Sequence, residues 1–206
     1  MTNFKQNNIR RCHLGISEAS PWVKRFAPLV SKNGPSKGEI LDLAAGSGRH
    51  AKYFYNLGHP VTAIDQDISA LIDLANNNWV QVIAADLEIG KKILPGRTFA
   101  GIVVVNYLFR PLMNTIINML EPSGVLIYET FARGNEEFIS PRNPDHLLKS
   151  GELLELANNR LQIVAYEHGI IKAVDIEGVK QRMCAVNNLS NSVRDDGEPT
   201  AQALAS

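Results

Sequence analysis

The sequence predicts an α/β fold, a doubly wound sheet of seven mostly parallel strands that ends in an antiparallel hairpin. Short apolar runs alternate with helical patterns along residues 38–188, as a parallel sheet with crossover helices requires. Residues 99–105 form a near-continuous apolar run, which is typical of a central strand covered on both faces. The apolar runs 161–171 and 179–186 lie too close together for a helical crossover, so we expect them to pair as a hairpin.

Each remaining element has its own local signal. A helix is predicted over 19–31, because Pro21 suits a first turn and apolar residues follow at helical spacing. Acidic residues follow the first three strands, and a Pro-Ser-Gly turn precedes the fifth. The other predicted elements are strands 40–43, 61–65, 80–85 and 125–131, helix 47–57, a helix ending near residue 120, a turn at 121–124 and a surface loop at 133–151.

The 206 residues are divided into a basic arm with a packing or lid helix (1–37), a core domain (38–188) and a tail expected to be flexible (189–206). The 21 basic and 21 acidic residues cancel, which argues against a chain built to bind nucleic acid by bulk charge. Residues 1–37 carry seven basic residues and one acidic residue. This arm is a candidate contact for RNA or an acidic substrate, although a solvated surface is the preferred interpretation.

Features of the sequence also predict the cellular compartment. Cys12 and Cys184 lie far apart and lack C-x-x-C spacing, so neither a disulfide framework nor a zinc site is expected. No apolar run approaches the roughly 20 residues that span a bilayer, and the polar start has no signal-peptide core. We therefore expect a cytoplasmic protein with no membrane partner and no metal.

The turn after the first strand is the most informative segment. Gly46-Ser47-Gly48-Arg49-His50-Ala51 satisfies the G-x-G-x-x-A dinucleotide pattern, and Asp65 follows at about the 20-residue distance of a ribose-binding acid, so a nicotinamide cofactor, NAD(P), is one interpretation. The other register begins at Asp42, whose carboxylate would repel a pyrophosphate and attract an ammonium, directly or through water. Helix capping by Asp42 is the alternative without a ligand.

The second register reads Asp42-x-Ala44-x-Gly46-x-Gly48 and resembles the first motif of class I S-adenosylmethionine-dependent methyltransferases, with Ala44 in place of their first glycine. This resemblance implies a Rossmann-like fold with S-adenosylmethionine at the strand ends. It also implies that Gln66 lies beside the adenosine, that Asp86 and Leu87 meet the adenine, and that Asn106 lies near the transferred methyl. Asp65 would accept the ribose hydroxyls. A surface Asx-turn is the simpler interpretation of Asp86 alone.

Later motifs make the resemblance more particular. The segments Asn106-Tyr107-Leu108-x-Arg110-Pro111, Tyr128-Glu129-Thr130-Phe131 and the stretch from Pro141 to Leu153 are similar to a compact branch related to the tellurite-resistance methyltransferases, over about residues 20–187. The sequence departs from that pattern at Ala44, Ala45 and Phe109, where a histidine is common. Any imidazole-based role at residue 109 is therefore absent.

The sequence thus predicts methyl transfer from S-adenosylmethionine to a nucleophile, on a small molecule in preference to RNA or protein. Tyr107 and Glu129 are the candidate bases, and Tyr107, Arg110 and Arg142 are the candidate substrate contacts. A structural tyrosine and a loop-stabilising Arg142 are equally good interpretations. Three alternatives stay open: an NAD(P)-dependent oxidoreductase, a methyltransferase acting on RNA or protein, and a cofactor-binding module without turnover. Neither the methyl acceptor nor the oligomeric state follows from the sequence.

Overall fold

The computed structural model describes residues 17–89, 94–173, 176–191 and 194–204. Its helices are α1 (Pro21–Phe26), α2 (Arg49–Asn56), α3 (Ile72–Ala75), α4 (Arg110–Asn118) and α5 (Glu152–Ala157). Its strands are β1 (Ile40–Leu43), β2 (Val61–Asp65), β3 (Val80–Ala84), β4 (Phe99–Val105), β5 (Leu120–Phe131), β6 (Gln162–Ala173) and β7 (Ile176–Val186).

The seven strands form one sheet in the order β3-β2-β1-β4-β5-β7-β6. Strands β1 to β5 pair in parallel, whereas β7 is antiparallel to both β5 and β6. The predicted fold class is confirmed, including the C-terminal hairpin. Because parallel strands end at the same edge of a sheet, the segments after β1, β2, β3 and β4 lie side by side there.

Two apolar layers cover the sheet. Leu112 of α4 and Leu153 of α5 belong to one layer, and Trp22 of α1 and Phe54 of α2 belong to the other. Helix α1 is shorter than the predicted 19–31, because Pro28 has no N–H to continue the α-helical ladder and the chain goes on as a 3₁₀ turn over Ala27–Leu29. Trp22, Val23 and Phe26 of α1 are buried, and Ser20 before its first turn donates to Glu129 on β5, while a lid role for this helix stays a prediction.

One boundary differs from the prediction. The structure includes residues 121–124 in β5, where the sequence predicts a turn. Phe99 pairs with Leu120 but Gly101 pairs with Val125, so the register shifts across this segment. Pro122 has no N–H for the ladder, which accounts for the interruption.

The two ends of the chain are only partly described. Residues 1–16, which hold three of the seven basic residues of the predicted arm, lie outside the described residues. In the tail, Gln162 Nε2 donates to Thr200 O at 3.2 Å and Gln202 Nε2 donates to Gln162 Oε1 at 3.3 Å. The flexibility of 189–206 stays a prediction. Among the described residues, no helix has the length and apolar character needed to cross a membrane.

Candidate active site

The loop between β1 and α2 lies at the edge where the parallel strands end. Ala44, Gly46 and Gly48 adopt φ angles of +56°, +56° and +71°, in the left-handed region that favours glycine. A Cβ on Gly48 would overlap Leu71 and come within 2.6 Å of Leu74 Cδ1. A Cβ on Gly46 would meet no atom within 4 Å. The loop is therefore packed at Gly48 and open at Gly46, where a ligand can approach the backbone.

Asp42 is the third residue of β1, just before this loop, with only 1% of its surface exposed. Its Oδ2 accepts a hydrogen bond from Ala51 N at 2.8 Å, so the carboxylate occupies a free amide of the first turn of α2. Burial raises the pKa of Asp42 to about 7. The structure gives Asp42 the capping role that the sequence leaves as the alternative. The predicted contact of Asp42 with a cofactor ammonium, directly or through water, stays a prediction.

His50 and Arg49 complete the first turn of α2. Ser20 N donates to His50 Nε2 at 3.4 Å, and His50 Nδ1 lies 3.9 Å from Asp42 Oδ1. Burial, together with the charge of Arg49, lowers the pKa of His50 to about 3, so its ring is neutral near pH 7. Because Nε2 accepts a hydrogen bond, Nδ1 carries the ring hydrogen and faces the carboxylate.

Asp65 ends β2 and contacts the glycine loop directly. Its Oδ2 accepts from Gly46 N at 2.8 Å, and its Oδ1 accepts from Asp67 N at 2.9 Å. Each carboxylate oxygen can accept a second hydrogen bond, and the residue is half-buried, so ribose hydroxyls still have acceptors here. Asp65 therefore lies beside the open space at Gly46, and its role toward a ribose stays a prediction.

Residues after β3 complete this side of the site. Gln66 Nε2 donates to Asp86 Oδ2 at 3.4 Å, which places the ends of β2 and β3 together. Asp86 Oδ1 accepts from Glu88 N at 2.9 Å, so Asp86 forms the Asx-turn that is its simpler interpretation. Its second oxygen faces Gln66, and Leu87 is buried against the core. A role for Asp86 and Leu87 toward an adenine stays a prediction.

Tyr107 follows β4 and is half-buried. Its hydroxyl is buried without a hydrogen-bond partner in the described part of the chain. Burial raises the pKa of Tyr107, and the charges of Glu88, Asp86 and Asp65 raise it further. This raised pKa holds the phenol in its neutral form and does not favour a role as proton acceptor, so the catalytic role of Tyr107 stays a prediction. As a buried hydroxyl near the acids of β2 and β3, it is available to hydrogen-bond a ligand.

Glu129, the second predicted base, is already paired. Its Oε1 accepts from Lys180 Nζ at 2.6 Å and its Oε2 accepts from Ser20 Oγ at 2.6 Å, with only 3% of the residue exposed. Burial opposes ionisation, but Lys180, Ser20 and Arg182 outweigh it and hold the pKa of Glu129 below its ordinary value. A carboxylate held in this way is a weak base, so the structure corrects this prediction.

Lys180 and Ser20, which bind the two oxygens of Glu129, were not predicted from the sequence. Lys180 is 4% exposed and also donates to Asn106 Oδ1 at 2.8 Å. Arg182 alternates with Lys180 along β7, a pattern that is ordinarily a solvated face. Here α1 covers that face, because the Arg182 guanidinium lies 5.8 Å from the Trp22 ring. A lysine inside a predicted strand was the available signal, but its partners Asn106 and Glu129 are distant in sequence.

Arg110 is predicted to bind an anionic substrate, but the structure gives it a different role. Its guanidinium donates to Glu152 Oε1 at 2.6 Å and Oε2 at 3.0 Å, to Asp145 O at 2.7 Å and to Leu147 O at 2.9 Å. These bonds use most of its donors, so Arg110 anchors the loop before α5. Arg142, in the same loop, is exposed, and its substrate role stays a prediction.

The residues at this edge fit an adenosyl ligand better than a dinucleotide. Gly46 leaves backbone space, Asp65 offers carboxylate acceptors, and the Tyr107 hydroxyl has no partner among the described residues. A pyrophosphate would need the amides at the start of α2, but Asp42 occupies Ala51 N. In the described residues, no group of three or more His, Cys, Asp or Glu side chains is arranged to hold a metal ion.

The fold is that of the class I S-adenosylmethionine-dependent methyltransferases, because solved structures of such enzymes superpose on this chain. TehB from Haemophilus influenzae has a TM-score of 0.60 at 19% identity, over 73% of this chain and 57% of TehB. The chain thus spans little more than half of TehB. No family model and no curated protein matches the sequence.

Two further structures show how widely this fold is used. Burkholderia thailandensis 1,6-didemethyltoxoflavin-N1-methyltransferase, solved with 1,6-didemethyltoxoflavin and S-adenosylhomocysteine, has a TM-score of 0.61 at 18% identity, over 89% of this chain and 87% of its own. The [4+2]-cyclase SpnF has a TM-score of 0.60 at 13% identity, over 91% and 83%. Because a cyclase shares the fold, the fold alone does not fix the reaction.

Proposed function

We propose that this protein is an S-adenosylmethionine-dependent methyltransferase that acts on a small molecule. Two features together support the proposal most strongly. The backbone at Gly46 is open to a ligand, and the amide of Ala51 in the first turn of α2 already donates to Asp42. This arrangement admits an adenosyl group beside Asp65 and disfavours the phosphates of NAD(P). Methyltransferases among the structural neighbours support it, and so does the neutral net charge, which gives no general attraction to nucleic acid.

The proposed roles follow from the hydrogen-bonding groups. Asp65 binds the ribose hydroxyls and Asp86 accepts from the adenine amine, while Leu87 lines the ring. The Tyr107 hydroxyl donates to the same ligand, because it is buried without a partner in the described chain. When bound, S-adenosylmethionine supplies a methyl group that is already activated by its positive sulfur, so the chain contributes alignment and proximity.

The state of three described side chains, Tyr107, Glu129 and His50, limits the acceptor. Burial raises the pKa of Tyr107, and Lys180 and Ser20 occupy both oxygens of Glu129. His50 is neutral, with a pKa of about 3, and its Nε2 already accepts from Ser20 N. We therefore expect an acceptor that is nucleophilic without help from these side chains, for example an anion or an unprotonated amine.

Calorimetry with S-adenosylhomocysteine tests the cofactor directly, with NAD and NADP as competitors. We expect binding of S-adenosylhomocysteine alone. Asp65→Ala should weaken it, whereas Asp67→Asn, a loss of the same charge two residues away, should leave the affinity within about twofold. Binding of a nicotinamide dinucleotide alone would overturn the proposal and support the oxidoreductase alternative.

A second candidate function is cofactor binding without methyl transfer. Two observations favour it: Glu129 is already paired with Lys180, and the raised pKa of Tyr107 keeps its hydroxyl protonated. Incubation with methyl-labelled S-adenosylmethionine and a panel of anionic and amine acceptors separates the two. Label on an acceptor supports the methyltransferase, while binding with no labelled product supports the second candidate. RNA and protein acceptors belong in the panel because the basic arm is a candidate contact for them.

We also propose a cytoplasmic location. The support is indirect: Cys184 is a buried free thiol, and the sequence has no disulfide pattern. Fractionation of cells that express a tagged full-length chain tests this proposal. Recovery with the membrane or extracellular fraction would overturn it.

A further inference from the structure

The buried position of Lys180 is unfavourable for a charged side chain. Its ammonium is 4% exposed, opposite Phe131 in the β5–β7 pairing, and burial lowers its pKa. Burying an ion pair often stabilises a protein no more than apolar residues of similar volume would. Packing alone therefore does not explain a lysine at this position. The hydrogen bonds that its ammonium donates do.

The ammonium holds the side chain of Asn106. Lys180 Nζ donates to Asn106 Oδ1 at 2.8 Å, and Asn106 N donates to Glu129 O at 2.8 Å. An ammonium can only donate hydrogen bonds, so it favours one orientation of the Asn106 carboxamide, with Oδ1 toward Lys180. The Nδ2 donors are turned the other way, and among the described residues no protein acceptor binds them. The residue is half-buried with φ of +58°, directly after β4.

Glu129 keeps this arrangement electrically balanced. Its carboxylate pairs with Lys180 and accepts from Ser20 Oγ, while Arg182 Nε lies 4.0 Å from Oε2. Glu129 pairs directly with Lys180, and Arg182 also pairs with Glu167 at 3.5 Å, so the charge of the Lys180 ammonium is largely offset by its own carboxylate partner. Its effect on a ligand is therefore transmitted through the orientation of Asn106.

The sheet order indicates which part of the cofactor Asn106 meets. Asp65 and Asp86, which we assign to the adenosine, end β2 and β3 on one side of β1, whereas Asn106 and Lys180 lie on the other. A ligand that crosses the end of β1 at Gly46 therefore presents its amino-acid part to Asn106. In that part the carboxylate is the strong hydrogen-bond acceptor.

We propose that Lys180 is a positioning residue that orients Asn106 so that Nδ2 donates to the carboxylate of the cofactor's amino-acid part. This inference rests on the proposed function, because it takes S-adenosylmethionine as the ligand. It adds two groups that act as a unit: Asn106 makes the contact, and the buried Lys180–Glu129 pair sets which way its amide points.

Two ligands separate this role from cofactor binding as such. S-adenosylhomocysteine carries the amino-acid part, and 5′-methylthioadenosine keeps the adenosine but lacks it. Calorimetry on the full chain should show that Asn106→Asp weakens S-adenosylhomocysteine binding by about tenfold, because a donor becomes a repelling carboxylate. Binding of 5′-methylthioadenosine should change by less than about twofold. Asp65→Ala is the matched control and should weaken both ligands.

A double-mutant cycle tests whether Lys180 acts through Asn106. Lys180→Met should lower the preference for S-adenosylhomocysteine over 5′-methylthioadenosine by about threefold or more, and should have no further effect in an Asn106→Ala background. Lys180→Met leaves Glu129 unpaired, so Lys180→Met with Glu129→Gln is measured beside it. Asn106→Asp keeps a partner for Lys180 and tolerates the left-handed backbone, so it tests the Asn106 contact even if Lys180→Met unfolds, and the charge-balanced double variant Lys180→Met with Glu129→Gln then tests Lys180.

The outcomes are distinguishable. If the wild-type chain binds neither ligand, the proposed function fails and this inference fails with it. If the wild-type chain binds both and Asn106→Asp leaves their ratio unchanged, only this inference is overturned. Additive effects of Lys180→Met and Asn106→Ala would also overturn it, since they would mean that Lys180 acts on its own. A selective loss for S-adenosylhomocysteine in a non-additive cycle supports it.

Discussion

Replacing Asp42 with asparagine should make the protein more stable above pH 7. Asp42 is 1% exposed, and its carboxylate accepts one hydrogen bond, from Ala51 N. Burial raises its pKa from 3.8 to about 7, so keeping the group ionised in the folded state costs free energy. Asparagine has nearly the same shape, retains an oxygen for Ala51 N and carries no charge.

The magnitude follows from linkage. One pKa unit corresponds to about 1.4 kcal/mol, so a rise from 3.8 to about 7 sets an upper limit of about 4 kcal/mol on the gain. An unpaired buried amide NH₂ costs about 1–3 kcal/mol, which leaves an expected gain of about 1–3 kcal/mol at pH 8. Between pH 4 and pH 7 the folded carboxyl binds a proton that the unfolded one does not, so the contribution of Asp42 to stability falls as pH rises.

Urea unfolding of Asp42→Asn and wild type from pH 4.5 to pH 8.5 measures this. The difference between the two chains isolates Asp42, because His50, whose pKa is lowered to about 3, has the opposite pH dependence in both. The variant should gain on the wild type as pH rises to 7 and stay ahead above it. Asp73→Asn, at an exposed acid of α3, is the control and should stay parallel to wild type. A constant difference across the pH range would refute the reasoning.

Three further predictions concern the strand-end loops. Ala44→Gly should stabilise the fold by up to about 1 kcal/mol in urea unfolding, because φ at Ala44 is +56°, and any loss would show that the methyl packs usefully. Gly48→Ala should lower the melting temperature far more than Gly46→Ala, because only a Cβ at residue 48 meets Leu71. Gly46→Ala should instead lower the affinity for S-adenosylhomocysteine. Equal melting temperatures of the two variants would contradict this. Asp65→Ala should cost about 1–3 kcal/mol of that affinity by calorimetry, and an unchanged value in a folded variant would exclude ribose binding.

The strand-end acids show what a local sequence pattern can predict about the site. Asp42, Asp65 and Asp86 each follow an apolar run, and parallel pairing brings the three run ends to one edge. Their shared location therefore follows from sequence once the fold class is known. The partner of each carboxylate does not: Asp42 binds Ala51 N and Asp65 binds Gly46 N, and both contacts depend on how the loop turns.

The candidate bases and cations show where local reasoning ends. Glu129 looks like a free acid at a strand end, and Arg110 like a free cation beside the site. Their partners lie 51 and 42 residues away, at Lys180 and Glu152, and no periodicity links residues so far apart. An ionisable side chain takes its chemistry from its neighbours, so these roles were unpredictable before the packing was known.

By itself the sequence determined the α/β class, the final hairpin and the strand-end location of the site, because apolar periodicity and strand spacing are local properties. The tertiary structure decided the ionisation and the pairing of the groups in the site. The packing at the start of α1 joins Ser20 to one oxygen of Glu129, and Lys180 on β7 binds the other. Burial and charge pairing act through space, and only the folded chain brings residues 20, 129 and 180 together.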